Sequence, residues 1–301
     1  LNPSGSPVIH AVIILSASPW LSSLAGAMLG QHPQLYGLPE LHLFVADTLA
    51  QWHDDHTRCQ NRPQAMHGLV RALAQLHEGE QSEASVRRAW SWLADRREWS
   101  IARIFEHLAA AVAPRILVEK SSTSAAQWDF LIRAYQTLPQ ANFLHLTTHP
   151  LAVAHALLEQ REAPPPEGGG WLQQPLKAWL HRHNAILDFV SVLPEGQCVS
   201  LQGERLLAED ACYLPQIVQW LGIREDAEAL EAMRHPEQSP YAKSGPVNAR
   251  WGDDRKFLLS PTLRRPELSW PPLRDDPLLA QIADSELVGA VSELARQMGY
   301  G

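Results

Sequence analysis

The chain has 301 residues, 45% of them hydrophobic and 19% charged, with a formal net charge of −8. That length suffices for one large α/β domain, and the acidic balance excludes non-specific nucleic-acid binding, which needs clustered Lys and Arg to displace counterions. No apolar run approaches the roughly 20 residues of a membrane span. The first ten residues lack both a basic and an apolar signal segment, so a cytoplasmic setting is expected.

In chain order, His10 to Leu15 is a β-branched apolar run and predicts a buried parallel strand. Ser16 to Pro19 follows, then a helix from Trp20 to Leu29, with Ser18 as N-cap, Pro19 at the first helical position and Gly30 as the stop. Residues 41–113 read as mostly helical, with apolar spacings at Leu69, Leu73 and Leu76 and at Val86, Trp90 and Leu93. This stretch is expected to be a helical insertion covering one face of a sheet. Strands follow at Arg115 to Glu119, Asn142 to Thr147 and Cys198 to Leu201. Helices are predicted from Ala125 to Leu138, from Pro150 to Gln160, around Trp171 to Leu187, and from Ala211 to Leu221. Glu162 to Gly170 is a turn-rich breaker. Residues 236–277 are rich in Pro and Arg and read as irregular, and a last helix spans Leu278 to Met298. Strands alternating with helices predict an α/β fold, a central parallel sheet flanked by helices, in one domain covering the chain.

In such a sheet the turn after the first strand lies where ligands bind, and a helix N-terminus there can hold an anion. Here that turn is Leu15-Ser16-Ala17-Ser18-Pro19-Trp20. It lacks the GxxxxGK[ST] of a nucleotide-triphosphate loop, has no Lys or Arg, and loses one amide at Pro19. It has two readings, anion site or bare turn. Glu40 also has two: a general base with its pKa raised by burial, or a first-turn helix residue favoured by the helix dipole. His42 reads as a packed or surface histidine, and Lys120, at the end of a buried strand, as a cleft residue. Ser121 and Ser122 read as helix caps. Cys59, Cys198 and Cys212 are too scattered for a disulfide framework, and neither His53 with His56 nor His181 with His183 completes a ligand set, so no metal is expected.

Val12 to Phe44 resembles the opening of PAPS-dependent sulfotransferases. In that family a loop of the type Arg/Lys-Ser-Gly-Thr-Thr-Trp-Leu precedes a helix, followed by His-Pro and, in one branch, Pro-Glu-Leu-His. Trp20, Leu21, His32, Pro33, Pro39, Glu40, Leu41 and His42 match. Val118 to Ser122 is similar to the family's Asp-Lys-Ser-Pro, and Phe143 to Val153 to the strand and turn carrying its 3′-phosphate site. The branch resembled is that of sulfotransferase domains on polyketide and non-ribosomal peptide assembly lines, which share the helical insertion and a segment like Trp251-Gly252-Asp253. The resemblance implies a P-loop-like sheet with a donor site at Ser16, Ala17, Ser18, Trp20 and Thr148, and Glu40, His42 and Lys120 as the catalytic group.

At several positions the chain departs from this pattern. Leu15 stands where the family has a loop cation, Ala17 where it has Gly, and Pro19 where it has the second Thr. Thr148 replaces the Arg that grips the 3′-phosphate, and Ala156 replaces a Ser. Lys256 to Ser260 replaces a segment ending in Arg-His. Losing three such contacts would cost about 4–7 kcal/mol of donor binding. The expectation is a vestigial donor site with no cofactor, in a protein that acts on or binds an acyl or peptidyl intermediate on a carrier protein by non-sulfuryl chemistry. The alternatives are a working PAPS-dependent sulfotransferase using an acceptor hydroxyl, and a non-catalytic docking module.

Overall fold

The computed structural model describes residues 9–59, 62–153, 170–266, 268, 273, 276 and 279–300. Five strands, β1 (Ala11–Ser16), β2 (Leu35–Gly37), β3 (Ile116–Glu119), β4 (Asn142–Thr147) and β5 (Cys198–Gln202), form one sheet in the order β2-β3-β1-β4-β5. Every pairing is parallel, and β1 is central, with Ile13 opposite Glu119 on one side and Phe143 on the other. Its six residues are all buried, as a strand covered on both faces requires.

The period of two along β1 divides the interior. Ala11, Ile13 and Leu15 point to one face, where they pack with Leu117, Phe143 and the predicted insertion. Val12 and Ile14 point to the other, against Leu24 and Met28 of helix α1 (Pro19–Leu29) and Leu207 and Ile217 farther along the chain. Each such side chain contributes roughly 1.5–3 kcal/mol on leaving water.

The insertion is helical, as its spacing predicts. It holds α2 (Leu49–Asp54), α3 (His67–Glu78), α4 (Glu83–Ala94) and α5 (Ile101–Val112). Thr48 with Gln51 and Ser82 with Ser85 form capping boxes on α2 and α4, and Ser100 caps α5. Leu69, Leu73, Val86, Leu93, Ile104 and Phe105 form the face that covers the sheet.

Helix α6 (Trp128–Thr137) begins later than its apolar pattern suggests. Ser121 to Ala126 instead forms turns, with the Ser124 amide donating to the Ser121 carbonyl at 3.0 Å. Serine and threonine side chains there compete for backbone partners, which disfavours a helix. A long helix, Gly170–Ser191, packs Leu172, Leu176 and Trp179 against Val291 and Leu294 of the last helix, Ser285–Gln297. That last helix starts at its Asp284 cap, later than predicted, because the cap satisfies the Leu287 amide. The irregular segment holds short turns and one small helix, Arg255–Leu259. Most of the predicted helix Pro150 to Gln160, with Ala156, and most of the breaker Glu162 to Gly170 lie outside the described residues. Among the described residues no helix is long and apolar enough to cross a membrane.

Candidate functional site

The carboxyl ends of β1, β3 and β4 converge beside the link into α1. That link is only Ala17-Ser18. Ser18 caps α1 as predicted, its Oγ accepting from the Leu21 amide at 3.4 Å, while its own amide donates to Ser16 Oγ at 3.1 Å. Pro19 has no amide to offer. Two of the donors that could cradle an anion, the Ser18 and Leu21 amides, are thus engaged by the link's own hydroxyls. Leu15, at the position of the family's loop cation, is buried in the core under the insertion. Two cations flank the link from elsewhere in the chain. Arg182, on the long helix, donates to the Ala17 carbonyl at 3.4 Å. Lys256 lies over the Trp20 ring, 5.0 Å from its centroid.

The other half of the cleft is built from the ends of β2 and β3. Glu40 and His42 follow β2, but no helix begins at Leu41. The nearest element is a 3-10 turn, Leu43–Val45, so the helix-dipole reading of Glu40 does not hold. Glu40 is 7% exposed and His42 8%. Glu40 Oε1 accepts from the Ser122 amide at 2.9 Å, and Oε2 lies 3.6 Å from His42 Nε2. His42 Nδ1 shares a 3.0 Å hydrogen bond with Thr123 Oγ1. Burial would raise the Glu40 carboxyl, but the His42 and Lys120 charges and the Ser122 contact leave it below its ordinary value. The raised pKa expected for Glu40 is therefore absent, because the charges around it outweigh its desolvation. Burial lowers His42, with Glu40 opposing.

Two close backbone approaches frame this pair. A Cβ on Gly68 of α3 would lie 1.8 Å from the Glu40 carbonyl oxygen, so only glycine fits there. Gly252, at φ +119, accepts the Glu40 amide on its carbonyl at 2.9 Å and brings Asp253 inward.

Lys120 lies at the end of β3, 2% exposed. It points at Asp253, with Nζ 2.6 Å from Oδ1 and 2.5 Å from Oδ2. Ser23 of α1 also hydrogen-bonds Asp253. Burial pushes the Asp253 carboxyl up, and the Lys120 ammonium opposes it. Glu119, one residue earlier, is fully buried and pushed up to about 7 by desolvation, against two hydrogen bonds from Ser121. Its second oxygen has no partner.

Thr148, at the end of β4, is buried. Its hydroxyl meets His183 Nε2 at 3.4 Å, and its carbonyl accepts from Trp179 at 3.0 Å. His183 Nδ1 meets His145 Nε2 at 3.1 Å, and His145 Nδ1 meets Ser200 at 3.2 Å. Desolvation lowers His145 to about 4 and keeps this chain neutral.

The sequence thus marks Glu40, His42 and Lys120, and the fold brings them into one cleft. Ser16, Ala17, Ser18 and Trp20 lie beside it, while Thr148 is engaged with His183 and Trp179. Ser121 accepts from the Leu41 and His42 amides rather than capping a helix. Asp253, Ser23, Glu119 and Arg182 enter only through the fold. Of these, Asp253 had a sequence signal in Trp251-Gly252-Asp253, and Glu119 lies in the stretch Val118 to Ser122 that carries the family resemblance. His53 and His56 do not share a face: His56 is buried beside His42 and Trp52, in a π-helical turn that breaks the α-helical spacing. No cluster that could hold a metal ion occurs among the described residues.

A central parallel strand with its cleft between a short link and two buried acid–base clusters defines an α/β protein of P-loop-like topology. The model for the sulfotransferase family matches residues 22–227, more than half of the chain, and the chain belongs to that family. It is similar in structure to the sulfotransferase domain from the Synechococcus PCC 7002 olefin synthase, with 24% identity and a TM-score of 0.74 over 100% of this chain and 98% of that one. The sulfotransferase domain from the curacin biosynthetic pathway is similar too, at 21% identity and a TM-score of 0.74 over 98% and 99% of the two chains. No protein of curated function matches the sequence.

Proposed function

We propose that this chain keeps the sulfotransferase fold for its cleft without taking PAPS in the family's ordinary way. It binds or acts on an acyl or peptidyl intermediate tethered to a carrier protein, through proton transfer at Glu40 and His42. The observation that carries this reading is the commitment of Lys120 to Asp253, at 2.6 and 2.5 Å from the two carboxylate oxygens. PAPS carries about four negative charges near neutral pH. Leu15 and Thr148 offer it no charge, the Ser18 and Leu21 amides are spent on the link's own hydroxyls, and Lys120 is paired with Asp253. These residues do not fit the donor, so no step is routed through it.

Glu40 and His42 are the pair left for proton transfer. At 3.6 Å, Oε2 and Nε2 are too far apart for a good hydrogen bond with each other. A hydroxyl lodged between them would give its proton to the carboxylate while the imidazole N–H supports the oxygen left behind. The carrier-bound substrate is suggested by the assembly-line neighbours, whose own domains come from an olefin synthase and the curacin pathway.

A second reading, sulfuryl transfer from PAPS, is favoured by Arg182 at the link. Calorimetric titration with 3′-phosphoadenosine 5′-phosphate, the desulfated product, separates the two. The expected result is no heat of binding at millimolar nucleotide. Micromolar binding would overturn the proposal and leave the second reading.

A further inference from the structure

His42 is the one residue other than glycine with positive φ among the described residues, at 51°. Left-handed backbone is disfavoured for a residue with a side chain and persists where neighbours impose it. Ser121 supplies that imposition. Its Oγ accepts from the Leu41 amide and the His42 amide, each at 2.8 Å, and so uses both lone pairs on two consecutive N–H groups. Its own proton must then go elsewhere, and it goes to Glu119 Oε1, which also accepts the Ser121 amide at 2.9 Å. Glu119 therefore fixes the rotamer of Ser121, and Ser121 fixes the turn that carries the imidazole back toward Glu40. Trp52 Nε1 donates to the Leu41 carbonyl at 3.3 Å and closes the other side of the same peptide.

We infer that Ser121, oriented by Glu119, is a positioning residue that holds His42 in its left-handed turn and so builds the Glu40–His42 pair. Neither residue touches the space between Oε2 and Nε2. Their effect passes through the backbone. The inference takes Glu40 and His42 as the working pair from the reading above, but its test involves no turnover or nucleotide, so the two fail separately.

The test is NMR on the full chain, following the His42 carbon shifts for backbone conformation and its imidazole titration for contact with Glu40. The charges facing His42 are Glu40 and Asp253, which raise its midpoint, and Lys120 and Arg62, which lower it. Glu40→Gln removes one raising charge and should move the midpoint to lower pH. In a Ser121→Ala background that shift should vanish, and the left-handed signature of His42 should be lost. Ser121→Thr, which keeps the hydroxyl, should preserve both. Glu119→Leu is the second break should Ser121→Ala fail to fold. It should weaken the Glu40-dependent shift, whereas Glu119→Gln, with an acceptor oxygen in place, should retain it. An unchanged shift and left-handed His42 in Ser121→Ala, or in Glu119→Leu where that variant stands in, would overturn the inference.

Discussion

The two halves of the cleft lie at the carboxyl ends of neighbouring strands of one sheet, yet they are built in opposite ways. At the ends of β1 and β4, polar groups are satisfied locally or turned inward: Ser18 caps its own helix, and Thr148 joins a buried chain of neutral imidazoles. At the ends of β2 and β3, ionisable side chains are carried into the interior, where each needs partners from distant segments. Glu40, His42, Glu119, Lys120 and Asp253 are all buried. Burying ionisable groups is expensive, and replacing such pairs by apolar residues is often neutral or stabilising.

The sharpest way to break this contrast is Lys120→Met. It leaves Asp253 buried without its cation and should cost about 3–5 kcal/mol in urea unfolding. Adding Asp253→Asn should recover much of that loss. A cost near zero for the single change would mean that the pair is not the anchor it looks like.

The second test lies in the half at the ends of β1 and β4. Restoring the family's cation by Thr148→Arg puts a guanidinium where the partners are His183 and Trp179. It should destabilise by roughly 3 kcal/mol and add no affinity for 3′-phosphoadenosine 5′-phosphate. A folded variant that gains nucleotide binding would show that Thr148 can reach the link.

The third concerns pH. Glu119 has a folded pKa of about 7, above the ordinary 4.5 of its unfolded form. Below pH 4.5 it is protonated in both states. As the pH rises from 4.5 to about 7 the native state keeps a proton that the unfolded state has lost, so stability falls by roughly 3 kcal/mol across that window. His145 acts in the opposite direction. Its folded pKa of about 4 lies below 6.5, so its contribution is complete above pH 6.5 and declines as pH falls toward 4. Glu119→Gln should therefore stabilise the protein at pH 8, change little at pH 4.5, and leave the acid-side fall due to His145. Urea midpoints at pH 4.5, 6 and 8 read this directly, and equal midpoints for wild type and Glu119→Gln at pH 8 would contradict it.

The sheet, the helical insertion and the neighbourhood of the cleft were all legible along the chain. Those features rest on local signals: the apolar run of β1, the helical spacing of α3 and α4, the Ser18 cap, and the residues Trp20, Glu40 and Lys120 that carry the family resemblance. Chain-local patterning records which residues are apolar and how often, and that is enough to place strands and helices. Only the tertiary structure decided what the polar residues do there. Lys120 was legible as a cleft residue, but its partner lies 133 residues away at Asp253. Ser121 looked like a cap for the helix after it and instead holds the turn before it, 79 residues upstream at His42. The direction of the Glu40 shift depends on which charges the fold brings within a few ångströms. Hydrogen bonds and charges act through space, and spacing along the chain carries little record of them.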